Sequence, residues 1–287
     1  MLQIARLAPK LLGDSRDLVE SFVRSQLNPD GAFCNRAGES DLYYTVFGLD
    51  CLVALHLQLP VEEISHYLRT LGDGDGLDFV HLACLARGWA SVTRNLSSVP
   101  ANAILARIEV YRTPDGGYNQ SREESHGSVY GAYLALGAYQ DLGACMPNAE
   151  ALLASMHGLR AKDGAFANVH GARAGITTAT AAAVTVMRQL QTDADPALAT
   201  WLQARCLPAG GFFAVPDAPI PDLLSTAAAL HALAGMRVPL NDVREPCLDF
   251  LDSLWTNRGG FYGHWADDAI DTEYTYYALL SLGHLTA

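Results

Sequence analysis

The chain has 287 residues, of which 50% are hydrophobic and only 17% are charged, so a sizeable core is expected without disulfides or a structural metal. The 31 acidic and 19 basic residues give a formal net charge of −12, and no segment concentrates Lys or Arg. This balance argues against a surface that binds nucleic acid or an anionic membrane.

The N-terminal segment MLQIARLAPKLLGDS contains Arg6 and Lys10 and lacks a small-residue cleavage site, so it does not resemble a signal peptide. No apolar run reaches the roughly 20 residues of a membrane span. The six cysteines lie far apart without a C-x-x-C pair, which predicts reduced core residues rather than a zinc ribbon or a disulfide framework. We therefore expect a cytoplasmic protein without a transmembrane segment.

A Gly-(Gly/Ala)-aromatic triplet recurs along the chain, which indicates a repeat architecture. The triplets end at Phe33, Tyr118, Phe166, Phe212 and Phe261. They are about 48 residues apart, except that the first interval is close to twice that length, so an eroded unit is expected around residues 72–92. The sequence therefore predicts six units, at roughly 15–60, 61–100, 101–147, 148–194, 195–241 and 242–287.

Each unit is predicted to contain two helices. The first is amphipathic, with Asp or Asn expected as its N-cap and the glycine of the triplet expected to end it. The second follows a polar loop and is small or apolar on nearly every face, which is typical of a helix without a solvent side. An open superhelix would show the same alternation. Because the six units leave no residues for capping repeats, we expect an all-α fold with one (α/α)6 barrel domain over residues 1–287 and a central apolar cavity.

Three segments resemble the repeats of protein prenyltransferase β subunits and of class II terpene cyclases, the squalene–hopene cyclase type: DGGYNQSREESHGSVYGAYLAL, PAGGFFAVPDAPIPDLLSTAAALHAL and RGGFYGHWADDAIDTEYTYYALLSL. The resemblance covers roughly residues 15–285. It implies six inner and six outer helices around an apolar funnel that holds an isoprenoid chain. It also implies that the chemistry lies where the loops meet the starts of the inner helices.

The prenyltransferase zinc site can be checked against this sequence. In that family an Asp and a Cys in a D-x-C motif, together with a His just before the Thr of the last unit, hold the metal. The matching positions here are Asp222, Leu224 and Tyr274, and one carboxylate does not supply the three or four ligands that zinc needs. We therefore expect no zinc at this position and no cofactor. The segment VPDAPIPD also lacks the family's basic diphosphate-binding residues.

Class II cyclases protonate an alkene or epoxide with a D-x-D-D-T motif. The nearest match here places Asp271 and Glu273 before Thr275, with Tyr274 where the third carboxylate would stand. Two carboxyl groups in an apolar funnel can share a proton, which raises the pKa of one of them, as a Brønsted acid requires. Helix capping and hydrogen bonding are the alternative roles for this pair.

The same register gives the remaining candidate residues. An Asp four residues before the anchor Thr, as in Asp41, is either an N-cap or a functional carboxylate. An imidazole can act as a base or a donor near neutral pH, and tyrosines can form a wall around a carbocation or pack as ordinary core. The candidate catalytic residues are Asp222, Asp271, Glu273, Tyr274 and His126. The candidate substrate-binding residues are Tyr43, Tyr44, His81, Tyr130, Tyr276 and Tyr277.

The favoured function is a prenyltransferase-like or terpene cyclase-like enzyme that lacks the usual zinc site. It would bind an isoprenoid or another small apolar substrate in the barrel and act by carboxylate, Tyr and His acid–base chemistry. Two alternatives stay open. One is a prenyltransferase β-like subunit that needs a partner chain, and the other is a non-catalytic hydrophobic-ligand-binding or interaction module.

Overall fold

The computed structural model describes residues 1–93, 95 and 98–286, and within them twelve helices of seven or more residues alternate in six pairs. They are preceded by the short helices α1 (Leu2–Ala5) and α2 (Pro9–Leu12). The first, outer helices of the pairs are α3 (Arg16–Ser25), α5 (Val61–Thr70), α7 (Ala101–Glu109), α9 (Ala149–His157), α11 (Ala197–Gln203) and α13 (Asn241–Leu254). The second, inner helices are α4 (Leu42–Ala54), α6 (Phe79–Val92), α8 (Val129–Asp141), α10 (Thr177–Gln189), α12 (Leu223–Gly235) and α14 (Thr272–Thr286).

The two kinds of helix differ in burial as the sequence predicts. The outer helix α3 buries Val19, Phe22 and Val23 on one face. The inner helix α12 buries nine of its 13 residues, and they lie all round the helix. The eroded unit also forms a helix pair, α5 and α6. The chain is thus all-α and agrees with the predicted (α/α)6 barrel.

Each triplet forms a turn after the outer helix. Its aromatic residue pairs with the residue six positions earlier in an isolated antiparallel bridge, for example Cys206 with Phe212. Gly210 has φ +94°, and a Cβ there would lie 1.8 Å from the Pro246 carbonyl oxygen, so only glycine fits. The helix has already ended at Ala204, whose backbone is right-handed. The prediction that the triplet glycine caps the helix is therefore wrong, because the glycine serves the following turn.

The prediction of Asp or Asn N-caps on the outer helices is right only in part. Asp195 Oδ1 accepts the backbone N–H of Ala197, the first residue of α11, at 3.0 Å, and an Asn stands at the N-cap position of α9. Pro60, Pro100 and Pro196 hold that position for α5, α7 and α11, and Asn148 holds it for α9 without a capping bond. Proline suits a helix start because its φ is already close to the helical value and it has no N–H to satisfy.

In three repeats a threonine near the start of the inner helix ties the triplet to that helix: Thr45, Thr180 and Thr226. Thr226 is fully buried, and its Oγ1 accepts the backbone N–H of Phe212 at 2.9 Å and donates to the Asp222 carbonyl at 2.7 Å. Thr45 makes the corresponding pair of bonds. A hydroxyl that both accepts and donates satisfies two backbone groups at once, which explains the Thr at this position.

The chain divides into two compact units, residues 1–59 with 195–287 and residues 60–194. In the first unit α14 packs against both α12 and α4, and α1 packs on α14. In the second unit α8 packs against both α6 and α10. The contact between α4 and α14, the first and last inner helices, is the one that ring closure requires. The single domain and the central apolar cavity stay predictions. No helix among the described residues has the length and apolarity to cross a membrane.

Candidate active site

Three inner helices of the first unit begin with an aspartate. Asp41, Asp222 and Asp271 are the N-caps of α4, α12 and α14, and each accepts a backbone N–H from the first turn, as in the 2.7 Å bond from Tyr43 to Asp41. An N-cap carboxylate satisfies a helix donor and favours the positive end of the helix dipole. Capping is therefore a structural role that all three residues perform.

Asp271 also takes part in an ion cluster. Its Oδ2 accepts Nε of Arg36 at 2.7 Å, while Nη1 and Nη2 of Arg36 bind the carboxylate of Asp267 at 3.0 and 2.9 Å. Burial raises the pKa of Asp271, and the bonds from Tyr274 and Arg36 oppose that shift. The pKa of Asp267 is lowered because the Arg36 bond and two backbone N–H bonds outweigh its burial. Arg36 thus holds two carboxylates together.

Glu273 lies in the first turn of α14 with a neutral partner. Its Oε1 accepts the hydroxyl of Tyr43 at 2.6 Å. Burial raises the pKa of Glu273 from its ordinary value of 4.5 to about 7. The Tyr43 bond opposes this shift, the nearby charge of Asp271 adds to it, and the charge of Arg36 opposes it to a smaller extent. A carboxyl group with this pKa is protonated in a large fraction of molecules at neutral pH.

Asp222 and Tyr274 lie at the same helix starts. The hydroxyl of Ser225 donates to Asp222 Oδ2 at 2.7 Å, and burial raises the pKa of Asp222. Burial also raises the pKa of Tyr274 to about 12. The Tyr274 ring fills the space over Gly263, where a Cβ would lie 2.6 Å from the ring. The carbonyl of Gly263 accepts the N–H of Leu223, which connects this segment to α12.

The predicted tyrosines of α4 and α14 meet in one aromatic cluster. Phe47 lies at its centre, with ring centroids 4.9 Å from Tyr43, 5.8 Å from Tyr276 and 5.4 Å from Tyr277. Tyr44 adjoins Tyr43 at 5.6 Å. This cluster provides aromatic faces and edges next to the carboxyl group of Glu273, which binds a member of the cluster.

The other three predicted residues belong to the second unit. His126 is exposed, and its Nδ1 lies 2.8 Å from the hydroxyl of the adjacent serine. Its ring is 4.3 Å from that of His170. His81 interacts through Nδ1 with Asp78, the N-cap of α6, at 2.8 Å. The backbone N–H of Tyr130 donates to a neighbouring asparagine. A role for these residues in the site stays a prediction.

The residues at the family's zinc position do not fit a zinc ion. Leu224 has no donor atom, and both carboxylate oxygens of Asp222 are bonded to Ser225. Within the described part of the chain, no group of three or more His, Cys, Asp or Glu side chains could hold a metal ion. We therefore assign no step to a metal.

Sequence reasoning did not find Arg36, Asp267 and Phe47. One signal was present: Arg36 is the basic residue of the loop CNRAGESD, which precedes the first inner helix. In a closed ring this loop adjoins the last repeat, whose loop contains Asp267. Phe47 lies one turn after Tyr43, so helical spacing could have placed it beside that tyrosine.

The comparisons with known proteins agree with this geometry. The family model described as prenyltransferase alpha-alpha toroid domain matches residues 2–213 and 204–286. The chain belongs to this family. The resemblance seen in the sequence is thereby confirmed, since solved members of this fold include both terpene cyclases and prenyltransferases.

Two solved structures illustrate the similarity of this toroid protein to others. A variant of the type II terpene cyclase MstE from Scytonema, in complex with geranylgeranyl dihydroxybenzoate, aligns with a TM-score of 0.66 at 14% identity over 97% of each chain. Protein geranylgeranyltransferase-I from Candida albicans, complexed with GGPP, aligns with a TM-score of 0.59 at 14% identity over 98% of this chain and 81% of that one. At this identity they show the fold alone. A search of curated proteins finds no match.

Proposed function

We propose that this toroid protein is an enzyme that protonates a carbon–carbon double bond or an epoxide of an uncharged isoprenoid, with Glu273 as the acid. The observation that carries the proposal is the Glu273 carboxyl group, whose pKa is about 7 and whose hydrogen-bond partner belongs to an aromatic cluster. An acid is most effective when its pKa lies near the working pH. Proteins with this fold include a type II terpene cyclase, so the fold accommodates this reaction class.

The reaction is an isomerisation. The O–H bond of Glu273 breaks, and the π electrons of the terminal alkene form a new C–H bond, which leaves a carbocation on the neighbouring carbon. Further double bonds of the same chain attack that cation and close rings. The last cation gives a proton to water and becomes an alkene, and Glu273 regains a proton from solvent, so protons balance. With an epoxide, the proton of Glu273 goes to the oxygen while a C–O bond breaks, which leaves the same kind of carbocation. The product therefore has the same mass as the substrate.

The surroundings of Glu273 suit this chemistry. The aromatic rings of Phe47, Tyr276 and Tyr277 lie together and carry negative faces that stabilise a nearby cation. The ionised carboxylate of Asp271 lies two residues from the acid and also favours positive charge on the substrate. Tyr43 fixes the orientation of the Glu273 carboxyl group.

The charges of the site favour an uncharged substrate over a diphosphate. Asp222, Asp267, Asp271 and Glu273 lie at the starts of α12 and α14 or in the preceding segment, and Arg36 is already bonded to two of them. A diphosphate there would meet the charges of Asp267 and Asp271, and the guanidinium of Arg36 is already engaged by them. The ligands named for the two relatives, geranylgeranyl dihydroxybenzoate and GGPP, support a long isoprenoid chain as the apolar part.

The test is a product assay. Purified protein is incubated with geranylgeraniol, with its terminal epoxide, and with geranylgeranyl diphosphate plus a cysteine-containing peptide, and products are separated by gas or liquid chromatography with mass detection. We expect a new product of unchanged mass from the first or second substrate. Glu273→Gln should abolish it, and Glu39→Gln, which alters an exposed loop carboxylate, should not.

Two results would contradict the proposal. Transfer of the geranylgeranyl group to the peptide would favour the prenyltransferase-like alternative. Retention of the isoprenoid by the protein without any conversion would favour the non-catalytic binding module.

A further inference from the structure

Arg36 connects the first repeat to the last. It lies in the loop before α4, yet its guanidinium binds Asp267 and Asp271, which are more than 230 positions away in the sequence. Three of its N–H groups are directed at the two carboxylates, and its side chain is 35% exposed. The planar fork of arginine holds carboxylates in fixed positions, which an ammonium group does not do.

The acidic pair in the first turn of α14 is asymmetric. Asp271 accepts a charged donor, Nε of Arg36, and also the backbone N–H of Tyr274. Glu273 accepts the neutral hydroxyl of Tyr43, and among the described residues no ion pair involves Glu273. The charge of Asp271 raises the pKa of Glu273, so the pair releases its protons in two separate steps.

We propose that Arg36 is a positioning residue that fixes the negative charge of this pair on Asp271 and thereby leaves the proton on Glu273. The inference rests on the proposed function, in which Glu273 is the acid. A charge-assisted bond stabilises the ionised form of its acceptor about twice as strongly as a neutral bond does. Without Arg36 the two carboxyl groups would compete for the same proton, and a smaller fraction of molecules would carry it on Glu273.

The other titratable groups that face the pair do not replace Arg36. Tyr43 and Tyr44 come from α4 and Tyr274 from α14, and burial raises the pKa of Tyr44 and Tyr274, so both remain neutral phenols. At the start of α12, Asp222 adds negative charge close to Tyr274, and His264 partly offsets it. None of these groups is a permanent cation.

The experiment follows the protonation of each carboxyl group directly. Protein labelled with ¹³C at the Asp and Glu side-chain carboxyl carbons is titrated from pH 4 to pH 9 by NMR, and the two signals are assigned with Asp271→Asn and Glu273→Gln. In the native protein we expect Glu273 to titrate near pH 7 and Asp271 at a lower pH than Glu273. In Arg36→Gln the Asp271 midpoint should rise by one pH unit or more.

Two variants control for structural damage. Arg36→Lys keeps the positive charge, so the Asp271 midpoint should rise by less than half as much as in Arg36→Gln. Asp267→Asn removes the other partner of Arg36 but keeps its bond to Asp271, so the order of the two midpoints should be preserved. If Arg36→Gln does not fold, the Arg36→Lys and Asp267→Asn titrations decide the question. In both variants we expect Asp271 to titrate at a lower pH than Glu273, and the opposite order in either would contradict the inference.

An Asp271 midpoint that is the same in the native and Arg36→Gln proteins would overturn the inference, and so would a native protein in which Asp271 titrates above Glu273. The titration needs no substrate, so it is independent of the proposed function. Expected titrations without turnover would refute the function and keep the role of Arg36. If the Asp271 midpoint is the same with and without Arg36 but turnover depends on Glu273, the proposed function stands and the role of Arg36 is refuted.

Discussion

Two partly buried glutamates, one in each unit, show how hydrogen-bond partners set the pKa of a carboxyl group. Glu109, at the end of α7, accepts the hydroxyl of Tyr139 at 2.6 Å and that of Tyr118, as well as two bonds from Arg112. Burial acts to raise its pKa, but the bonds from Arg112 and the tyrosines outweigh burial and lower it. Glu109 is therefore a permanent carboxylate that holds its neighbours in place.

Glu273 also accepts a tyrosine hydroxyl at 2.6 Å, but among the described residues no arginine donates a hydrogen bond to it. The nearest guanidinium, Arg36, binds Asp271 instead. Burial then prevails, and the pKa of Glu273 rises to about 7. A Glu–Tyr contact thus holds an ionised carboxylate when an arginine also binds it, as at Glu109, whereas Glu273, which binds directly to no arginine that the structure describes, has the raised pKa that an acid needs.

The largest expected difference between the two glutamates is in catalysis. Glu273→Gln removes the transferable proton and should lower turnover about a thousandfold, in the range usual for the loss of a general acid. Glu109→Gln leaves Arg112 partly buried without its charge partner, so it should lower stability and leave turnover per folded molecule unchanged. The two variants are compared by their initial rates, each divided by the amount of folded protein, which circular dichroism measures. Equal losses in the two variants would mean that Glu273 is only structural.

The second difference is in the pH dependence of the reaction. The acid form of Glu273 is present below its pKa of about 7, so kcat should fall about tenfold for each pH unit above that value. Glu109 stays ionised throughout this range because its pKa is lowered, so it contributes no inflection. A rate profile from pH 5 to pH 9 tests this. A profile that rises through pH 7 would indicate a base rather than an acid.

The third difference is in stability. The folded-state pKa of Glu273 lies above its unfolded value, so the folded state binds more protons and the free energy of unfolding falls as pH rises from about 4.5 to 7. For Glu109 the folded-state pKa is lowered, so its contribution is present above the unfolded pKa and is lost as pH falls through the folded one. At pH 8 Glu273→Gln should therefore raise the unfolding free energy by about 2 kcal/mol, allowing for partial exposure.

Urea unfolding at pH 5 and pH 8 measures this effect. Glu109→Gln is the matched variant, and it should lower the unfolding free energy at pH 8. If Glu273→Gln were destabilising at pH 8 by as much as Glu109→Gln, Glu273 would be an ordinary ionised carboxylate.

The smallest expected difference comes from the tyrosines. Tyr43→Phe removes a bond that lowers the pKa of Glu273, so the upper pH limit of kcat should move up by about half a unit, and kcat at pH 7 should change by less than about tenfold. Tyr139→Phe deletes the equivalent bond to Glu109 and should change stability without moving the profile. A shift to lower pH in Tyr43→Phe would show that the Tyr43 hydroxyl stabilises the neutral form instead.

The sequence predicts the repeating parts of this molecule well because they depend on local patterns. The helix pairs follow from hydrophobic periodicity, and the anchor Thr226 follows from the repeat register. The N-terminal caps of the outer helices are predicted only in part, because proline stands at the start of three of them and suits a helix start as well as Asp or Asn does. The sequence predicts that the triplet glycine ends the outer helix, whereas it lies in the following turn. The two places cannot be told apart from the residue type, because a left-handed backbone is needed both at helix ends and in tight turns.

The candidate site is predictable only in part, for a physical reason. Asp271 and Glu273 stand near the start of one helix and can be found by their spacing. Their protonation depends on Arg36, which comes from the opposite end of the chain and approaches them only because α4 and α14 pack together. A contact between such distant residues leaves no local signal in the sequence.

The most direct test of the account is the reaction carried out in D2O. The substrate for this test is geranylgeraniol, because protonation of an epoxide would place the label on an exchangeable hydroxyl. If Glu273 protonates the terminal alkene, the acid exchanges with solvent and the cyclised product gains one deuterium at the carbon that was protonated, which raises its mass by about one unit. The labelled product should be absent with Glu273→Gln and present with Glu39→Gln. A product formed without solvent deuterium, or formed equally by the Glu273→Gln variant, would contradict the assignment of Glu273 as the acid.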